Sequence, residues 1–472
     1  MKELFFNHYY VIIPVMSEML NNKNLKNEKP ALDEHLYAAF MEAGSLQSYE
    51  YLDGDKEFRD NQKRKFMAGE IQNPSLDYPK INISELEDAE SVLVSLKANV
   101  ISTEKNELVR QVYRWRLNEK IAEIRLLKAV GSKDMHRFER YSEYIYGKPS
   151  KDIFAYSIGT IRSKAEQFVD SDNVILRDTA KNLLELMPMM DQPKITKLPT
   201  QETVEYAHRQ TLSELGSLTE IPSESASLDA PMIQEAFELA LKKIGDPEWS
   251  VVINEGSSRT GISTNQEQKT IEIPDSRTVT RKKLAALILH EIGTHAARRI
   301  NGERSHLKLL GIGLDRYEVG EEGIATMREQ ALVNKVDDFR GIDGQLAIGL
   351  CLGLDGQPRD FRQVYEILEK YYLFKNLISK KELPESQEKA QSSAWNRTLR
   401  TFRGTDCNTP GACFTKDTIY RDGNIGIWDV IGNNPDEMLR FNIGKYDPAN
   451  PRHIWILEQI GISDKDLSNL ER

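Results

Sequence analysis

Residues 289–295, LHEIGTH, contain two histidines and a glutamate whose side chains could bind and use a metal ion. His290 and His295 are five positions apart, and Glu291 directly follows the first histidine. Imidazole nitrogens are common ligands of Zn²⁺, and a neighbouring carboxylate can act as general base toward a zinc-activated water. The usual pattern of zinc peptidases, H-E-x-x-H, is one residue shorter.

The longer spacing conflicts with a regular α-helix. On such a helix, residues four apart differ by about 40° around the axis and residues five apart by about 140°. Two side chains on such different faces cannot easily share one tetrahedral ion, unless the helix absorbs one residue in a π-turn. Gly293 lies inside the motif and would ease that distortion. The motif therefore predicts either a metal site with a π-turn or break near Gly293, or an ordinary helix that happens to contain two histidines.

A catalytic zinc site also needs a third protein ligand and an open position for water. Residues 317–333, YEVGEEGIATMREQALV, have the pattern of a helix that begins with acidic residues. Glu322 would complete a His₂Glu ligand set, and Glu318, one turn earlier, is the candidate hydrogen-bond partner of the ligands. An acidic helix start also has an ordinary explanation, because glutamates favour the helix N-terminus. His306 lies in a charged turn and is predicted to be a surface residue.

The composition is that of a globular protein that is large enough for two or three domains. The chain has 472 residues, of which 39% are hydrophobic and 29% charged. The net charge of −10 argues against nucleic acid or an acidic membrane surface as the main partner. The three cysteines, Cys351, Cys407 and Cys413, are too few for a disulfide framework and suit a reducing cytoplasm, so we expect buried or free thiols.

The N-terminal twenty residues are apolar but are interrupted by Asn7, His8 and Pro14. This apolar run is too short to span a bilayer, and it lacks the basic start and small-residue cleavage site of a signal peptide. We therefore predict a buried N-terminal segment. No other stretch of the sequence is long enough to be transmembrane.

Helical periodicity and turn residues divide the chain into three predicted parts. These are a mostly helical N-terminal segment (1–72), a helical region (73–200) and a region that contains the candidate metal site (201–472). The helical region opens with a proline-containing loop and includes a long helix that ends at Gly131.

The third part changes character. It begins with a helix that Asp229 should cap and Gly245 should end. Two strands are expected next, WSVVIN and TGISTNQEQKTIEIP, followed by the histidine-bearing helix with Thr278 or Thr280 as its cap. The tail from about residue 360 should mix helices, a Gly/Cys-rich loop and short strands.

The segments HEIGTHAARRINGE and YEVGEEGIA together resemble a family of H-E-x-x-x-H metallopeptidases that includes the microtubule-associated tyrosine carboxypeptidases. Its bacterial members are described as QEGLA-motif proteins, and similar segments, NPSLDYP and FRGTDCNTPGACFTKDTIYRDG, extend the resemblance over most of residues 73–430. The resemblance implies His290, His295 and Glu322 as ligands of one Zn²⁺ and Glu291 as the catalytic residue. This sequence departs from QEGLA by reading EEGIA, with the ligand position intact.

The resemblance implies an α+β fold, in which a helical N-terminal part precedes a zincin-like metallopeptidase domain with a small mixed sheet on the site helix. It also implies a carboxypeptidase that removes a C-terminal residue, with tyrosine or another aromatic residue as the candidate, from a peptide or protein. Two other functions stay open: another zinc peptidase, either an aminopeptidase or an endopeptidase, and a non-catalytic regulatory or binding protein.

A carboxypeptidase must bind the free C-terminal carboxylate of its substrate. The guanidinium group of arginine is well suited to this, because it can donate to both carboxylate oxygens. The candidates are Arg298, Arg403, Lys416 and Tyr420, of which Tyr420 could also stabilise an oxyanion. Arg298 could equally bind a carboxylate or backbone within the fold. Several basic residues lie near the site in the sequence. If their side chains line one groove, they would suit an acidic peptide tail; otherwise they are ordinary helix surface. Arg299 and Arg304 are expected to be solvated. This basic run comprises Arg281, Lys282, Lys283, Arg298, Arg299, Arg304 and Lys308.

Overall fold

The computed structural model describes residues 31–43, 51–194, 197–218, 227–255, 261–379 and 382–462. The predicted N-terminal apolar segment lies outside the described residues. Within them the protein is mostly helical and contains one three-stranded sheet, which confirms the predicted α+β class. None of the described helices combines the length and hydrophobicity that crossing a bilayer requires.

The helices and helical turns follow one another along the chain and are numbered in that order. They are α1 (Glu34–Ala43), α2 (Lys56–Met67), α3 (Ile83–Thr103), α4 (Glu107–Gly131), α5 (Met135–Tyr146), α6 (Lys151–Glu166), α7 (Val174–Leu186), α8 (Gln201–Leu218), α9 (Ala230–Ile244), α10 (Arg281–Leu287), a π-helix (Ile288–Ala296), α11 (Ala297–Arg304), α12 (Leu309–Ile312), α13 (Glu318–Leu332), α14 (Ile342–Leu352), α15 (Phe361–Ile378), α16 (Leu383–Phe402), a 3₁₀ turn (Thr415–Thr418), α17 (Ile419–Asn433), a second 3₁₀ turn (Pro435–Arg440) and α18 (Pro451–Gln459).

The helix boundaries near the site follow the predicted capping residues. Asp229 accepts a hydrogen bond from the backbone of Met232 at the start of α9, and Gly245 ends that helix in the left-handed conformation that glycine adopts without strain. Thr280, one of the two predicted caps, accepts from the Lys283 amide at the start of α10. The capping residues therefore determine where the site helix begins.

The sheet contains three short strands, β1 (Ser250–Asn254), β2 (Ser263–Asn265) and β3 (Thr270–Pro274), in the spatial order β1-β3-β2. β3 pairs in parallel with β1 and antiparallel with β2, so the sheet is mixed as predicted. The single long second strand expected from sequence was wrong, because a turn divides it. The Asn265 side chain accepts from the amides of Glu267 and Gln268 and closes that turn.

The expectation of short strands in the tail was also wrong. Beyond residue 360, the described residues form helices and 3₁₀ turns and contain no strand. The three cysteines are buried and free, as predicted.

The sheet packs directly on the helix that carries the histidines. Ile271 and Ile273 of β3 are fully buried in one cluster with Ile288 and Ile292 of the π-helix. α9 covers the same cluster through Phe237. This arrangement confirms the predicted small sheet beside the site helix.

The N-terminal helices share a core with segments that follow the site. Leu117 of α4 and Leu310 of α12 belong to one buried cluster. The buried Asp33 carboxylate, just before α1, accepts from the Lys308 and Leu309 amides at distances of 2.8 and 2.9 Å. The predicted division of the chain near residues 72 and 200 stays a prediction.

α13, which carries Glu322, crosses α17 at very short range. A Cβ atom placed on Gly323 would lie 2.5 Å from the Gly423 carbonyl oxygen, and one placed on Gly423 would overlap the Val319 carbonyl oxygen. Both approaches are closer than real Cβ contacts, so only glycine permits this crossing. The position of Glu322 therefore depends on two glycines at the contact.

We predict that Gly423→Ala pushes α17 away from α13 and destabilises the fold by about 1–3 kcal/mol, as overpacking typically does. The expected result is a lower thermal unfolding temperature. Gly159→Ala is the matched control, because Gly159 lies inside α6 and a Cβ atom there would meet no described atom within 4 Å. Equal unfolding temperatures for the two variants would contradict the close crossing.

Candidate metal centre

The two histidines lie on a π-helix, as the one-residue mismatch predicts. Residues Ile288–Ala296 form this helix without a break between α10 and α11. The Thr294 hydroxyl donates to the Leu289 carbonyl five residues earlier, at 2.8 Å. In a π-helix, residues five apart return to nearly the same face, because the hydrogen bonds run from i to i+5.

A buried arginine from α13 supports the π-helix from outside. One Arg328 nitrogen donates to the Gly293 carbonyl at 3.1 Å and to the Thr294 hydroxyl at 2.7 Å. The other terminal nitrogen donates to Glu214 of α8 at 2.8 Å. Backbone and side-chain acceptors of the widened turn are thus satisfied by a charged donor in the protein interior.

The π-helix and α13 bring the three predicted ligands together. His290 Nε2 lies 3.9 Å from one Glu322 carboxylate oxygen, and His295 Nε2 lies 4.0 Å from the other. One ligand atom from each of the three residues lies within 4.8 Å of the others. Among the residues that the structure describes, no other group of His, Cys, Asp and Glu side chains is arranged so.

Each histidine is held by a carboxylate on its second ring nitrogen. His290 Nδ1 lies 2.9 Å from Glu329, and His295 Nδ1 lies 2.9 Å from Glu321. An Nδ1–H donated to a carboxylate leaves the Nε2 lone pair free for a metal. Two imidazole nitrogens and one carboxylate fit the donor set of a catalytic zinc site with an open fourth position.

Glu318 is not a partner of either histidine, so that prediction was wrong. Its carboxylate accepts from Lys416 Nζ at 2.7 Å instead. The partners that sequence reasoning missed are Glu321 and Glu329. Glu329 lies seven residues after Glu322, two helical turns along the same face, and this spacing could have identified it.

Buried charged groups around the histidines shift the pKa values of Glu321 and His290. Burial alone would raise the pKa of Glu321, but Lys445, Arg298 and His295 hold it well below its usual range. Burial alone would likewise lower the pKa of His290, but the surrounding carboxylates of Glu329, Glu291 and Glu322 raise it to about 9. The cluster therefore favours positive charge at the point where the ligand atoms converge.

Arg298 binds within the fold, which was one of its two expected roles. Its guanidinium is fully buried and donates to Glu321 and to the carbonyls of Gly444 and Tyr446. It is absent from the lining of the cavity that adjoins the ligand cluster, so its candidate substrate-binding role is corrected.

The remaining basic residues divide between core and surface. Arg299 was expected to be solvated, but it is buried and pairs with Glu303. Arg304 and His306 are exposed, as predicted. Of the predicted basic run, Arg299 is the member that lines the cavity, so the run does not form one basic groove.

The cavity beside the ligand cluster has a volume of about 790 Å³. Its wall includes the candidate ligands, Glu291 and three of the four predicted substrate residues, Arg403, Lys416 and Tyr420. α4 contributes charged side chains to the same wall, a contribution that no sequence motif indicated. The charged and tyrosine side chains of the lining outside the ligand set are Asp53, Arg116, Lys120, Glu123, Tyr146, Glu267, Glu291, Arg299, Tyr317, Glu318, Glu321, Arg400, Arg403, Lys416, Tyr420 and Lys445.

Glu291 is buried beside the ligands and faces the cavity. Its carboxylate accepts a hydrogen bond from the Thr264 hydroxyl of β2 at 2.6 Å. Tyr420 lines the same cavity, where the negative charge of Glu322 and burial raise the pKa of its phenol, so that the phenol stays protonated at neutral pH. The cavity thus presents a carboxylate and a hydroxyl donor near the point where a metal could bind.

The fold and the site together define an α+β protein with a candidate His₂Glu metal centre in an H-E-x-x-x-H π-helix. A family described as microtubule-associated tyrosine carboxypeptidase matches residues 191–342, a range that contains all three candidate ligands and Glu291. The resemblance seen in the sequence is confirmed over this range, which is narrower than expected. No curated protein matches the chain. The family match implies a carboxypeptidase-type activity.

We predict that Glu329→Gln weakens Zn²⁺ binding by about 10–100-fold, because the amide no longer fixes and polarises His290 as a carboxylate does. Competition with a chromophoric chelator measures this affinity. Glu303→Gln is the control, since Glu303 pairs with Arg299 and touches neither histidine. Unchanged affinity in Glu329→Gln, or an equal loss in both variants, would refute the role of Glu329.

Proposed function

We propose that this protein is a zinc-dependent carboxypeptidase that hydrolyses the C-terminal peptide bond of a peptide or protein. His290, His295 and Glu322 would hold one Zn²⁺. The observation that carries the proposal is the convergence of these ligand atoms next to Glu291, at the wall of a cavity. A purely structural zinc site has no use for an open cavity and an adjacent carboxylate.

Bound zinc supplies a Lewis acid that lowers the pKa of a water molecule to about 7. Glu291 is placed beside the ligands to accept the proton of the attacking water. The Thr264 hydroxyl donates to its Oε2 atom, and we assign the proton transfer to the other carboxylate oxygen, Oε1. The same oxygen then gives the proton to the leaving amine nitrogen as the peptide bond breaks.

Arg403 is the proposed receptor for the substrate carboxylate. Two other basic residues of the cavity wall already form ion pairs: Lys416 binds Glu318, and Arg400 binds Asp417. Arg403 stacks on the Phe414 ring, but within the described part of the chain no carboxylate forms an ion pair with it and its buried Nε atom has no hydrogen-bond partner. A free C-terminal carboxylate would satisfy this guanidinium through two parallel hydrogen bonds.

The pairing of the acidic wall residues favours a carboxypeptidase over an aminopeptidase. An aminopeptidase needs unpaired carboxylates for the substrate ammonium group. Glu318 and Glu321, which flank the ligand region, are bound to Lys416 and to Lys445. Recognition of a negative group by Arg403 is therefore better supported than recognition of a positive one.

The remaining wall suits an aromatic residue at the substrate C-terminus. Phe40, Met41, Ile312 and Tyr317 provide apolar and aromatic surface in the same cavity. Tyrosine is the residue in the name of the matched family. Tyr420, protonated and close to Glu322, is the proposed hydrogen-bond donor to the carbonyl oxygen as negative charge develops there.

The proposal places the enzyme in the cytoplasm, which the three free cysteines support. A non-catalytic binding protein would retain the ligands without needing Glu291 at its position.

The proposed function is tested with three matched peptides of one sequence ending in tyrosine: unmodified, C-terminally amidated and N-acetylated. The purified protein is incubated with each, with and without a zinc chelator, and mass spectrometry identifies the products. A carboxypeptidase releases tyrosine from the unmodified and N-acetylated peptides and spares the amide. If only the N-acetylated peptide resisted cleavage, the protein would be an aminopeptidase. Internal cleavage of all three peptides would indicate an endopeptidase. No cleavage of any C-terminus would favour a binding protein.

Glu291→Gln should bind zinc with wild-type affinity yet hydrolyse the peptide at least about a hundredfold more slowly, as expected when a general base is removed. The substitution keeps the side-chain size and removes the basicity. Turnover is measured by tyrosine release and zinc content by metal analysis. Wild-type turnover would show that this mechanism is wrong.

Arg403→Met should raise KM for the unmodified peptide by about 10–100-fold, the range expected from losing a hydrogen bond to a charged group. Zinc content should not change, because Arg403 is not a member of the ligand cluster. Arg304→Met, at an exposed arginine, is the control. An unchanged KM in Arg403→Met would remove this residue from the proposed carboxylate site.

A further inference from the structure

We propose that Thr264 is a positioning residue that orients the carboxylate of Glu291 for proton transfer. The inference rests on the proposed function, because it assigns a part to one more residue of the same site. Thr264 lies on β2, outside both segments that carry the zinc motif. Its hydroxyl is 2.6 Å from Glu291 Oε2, and the two residues are 27 positions apart.

The contact gives the two carboxylate oxygens of Glu291 different roles. A hydroxyl bound to an ionised carboxylate must donate, so Thr264 occupies one lone pair of Oε2. The Thr264 hydrogen bond is the one side-chain hydrogen bond to Glu291 among the residues that the structure describes. Oε1 is then left to receive a proton, at a position set by a strand as well as by the π-helix.

A carboxylate on rotatable bonds needs such a restraint. Glu291 can otherwise turn toward several positions in a cavity of about 790 Å³. Proton transfer requires the base within hydrogen-bond reach of the proton that it takes, and small displacements lower the rate sharply. One short hydrogen bond to a charged acceptor is strong enough to select the productive rotamer.

β2 is suited to provide this restraint because it is itself held in place. Its three residues pair with β3, where Thr264 is opposite Ile271 in the buried core of the sheet. The Asn265 side chain closes the turn that follows by accepting from two backbone amides. Backbone pairing with β3 and the closed turn therefore hold the segment that carries the Thr264 hydroxyl.

The test compares Thr264→Val and Thr264→Ser with the wild-type protein on the tyrosine-ending peptide. Valine keeps the branched shape and removes the hydroxyl, whereas serine retains the hydroxyl. We expect Thr264→Val to lower kcat by about 10–100-fold, the range for a lost hydrogen bond to a charged group, with KM changed less than about twofold. Thr264→Ser should recover most of the lost turnover.

Thr270→Val is the matched control, because Thr270 lies on the neighbouring strand and its hydroxyl donates to the Gln268 carbonyl rather than to the site. It should leave kcat unchanged. Zinc affinity from chelator competition should be equal in all three variants, since Thr264 acts on Glu291 and not on a ligand. In the Glu291→Gln background, Thr264→Val should have no further effect on the residual rate.

A crystal structure of the metal-free Thr264→Val protein provides a readout that does not depend on activity. The Glu291 carboxylate should leave its position in this variant and keep it in Thr264→Ser. An unmoved carboxylate, an unchanged kcat in Thr264→Val, or an equal loss of kcat in Thr270→Val would overturn the inference. If Glu291→Gln retained wild-type turnover, the proposed function would fail instead, and the crystallographic result would still decide whether Thr264 fixes Glu291.

Discussion

To bind one metal ion, two histidines five residues apart must project from the same face of their helix. The structure around them follows from this constraint. A regular helix turns the second histidine about 140° away from the first, so the backbone has to widen into a π-helix. A widened turn is less stable alone, and the protein supports it from outside with the buried Arg328, which donates to the Gly293 carbonyl and the Thr294 hydroxyl. The candidate metal centre thus lies on a π-helix that is hydrogen-bonded from outside by a second helix.

That second helix, α13, carries most of what the site requires. It supplies the candidate ligand Glu322 and the two carboxylates, Glu321 and Glu329, that hold the histidine rings. It also supplies the arginine that supports the π-helix. Because all four side chains come from one rigid element, their spacing is fixed by helix geometry, and the close glycine contact with α17 fixes the helix itself.

Features that follow from local geometry could be predicted from the sequence. The candidate ligand set followed from residue type and spacing together with the family resemblance, and the π-turn followed from the arithmetic of helix periodicity. Glu318 and Arg299 were predicted wrongly, because spacing along a helix does not reveal which neighbour a side chain will face after folding. Glu318 accepts a hydrogen bond from Lys416, and Arg299 forms an ion pair with Glu303. The Thr264 contact depends on how a strand meets a helix 27 residues later, and no local pattern encodes that.

The proposed chemistry depends most directly on one zinc ion bound by His290, His295 and Glu322. X-ray absorption spectroscopy at the zinc edge, combined with anomalous diffraction from crystals of the zinc-loaded protein, measures the ion and its ligands directly. We predict one Zn²⁺ per chain, bound by two histidine Nε2 atoms and one carboxylate oxygen at about 2.0–2.2 Å, with a remaining position for water. A chain that takes up no zinc, or binds it through other residues, would contradict this assignment.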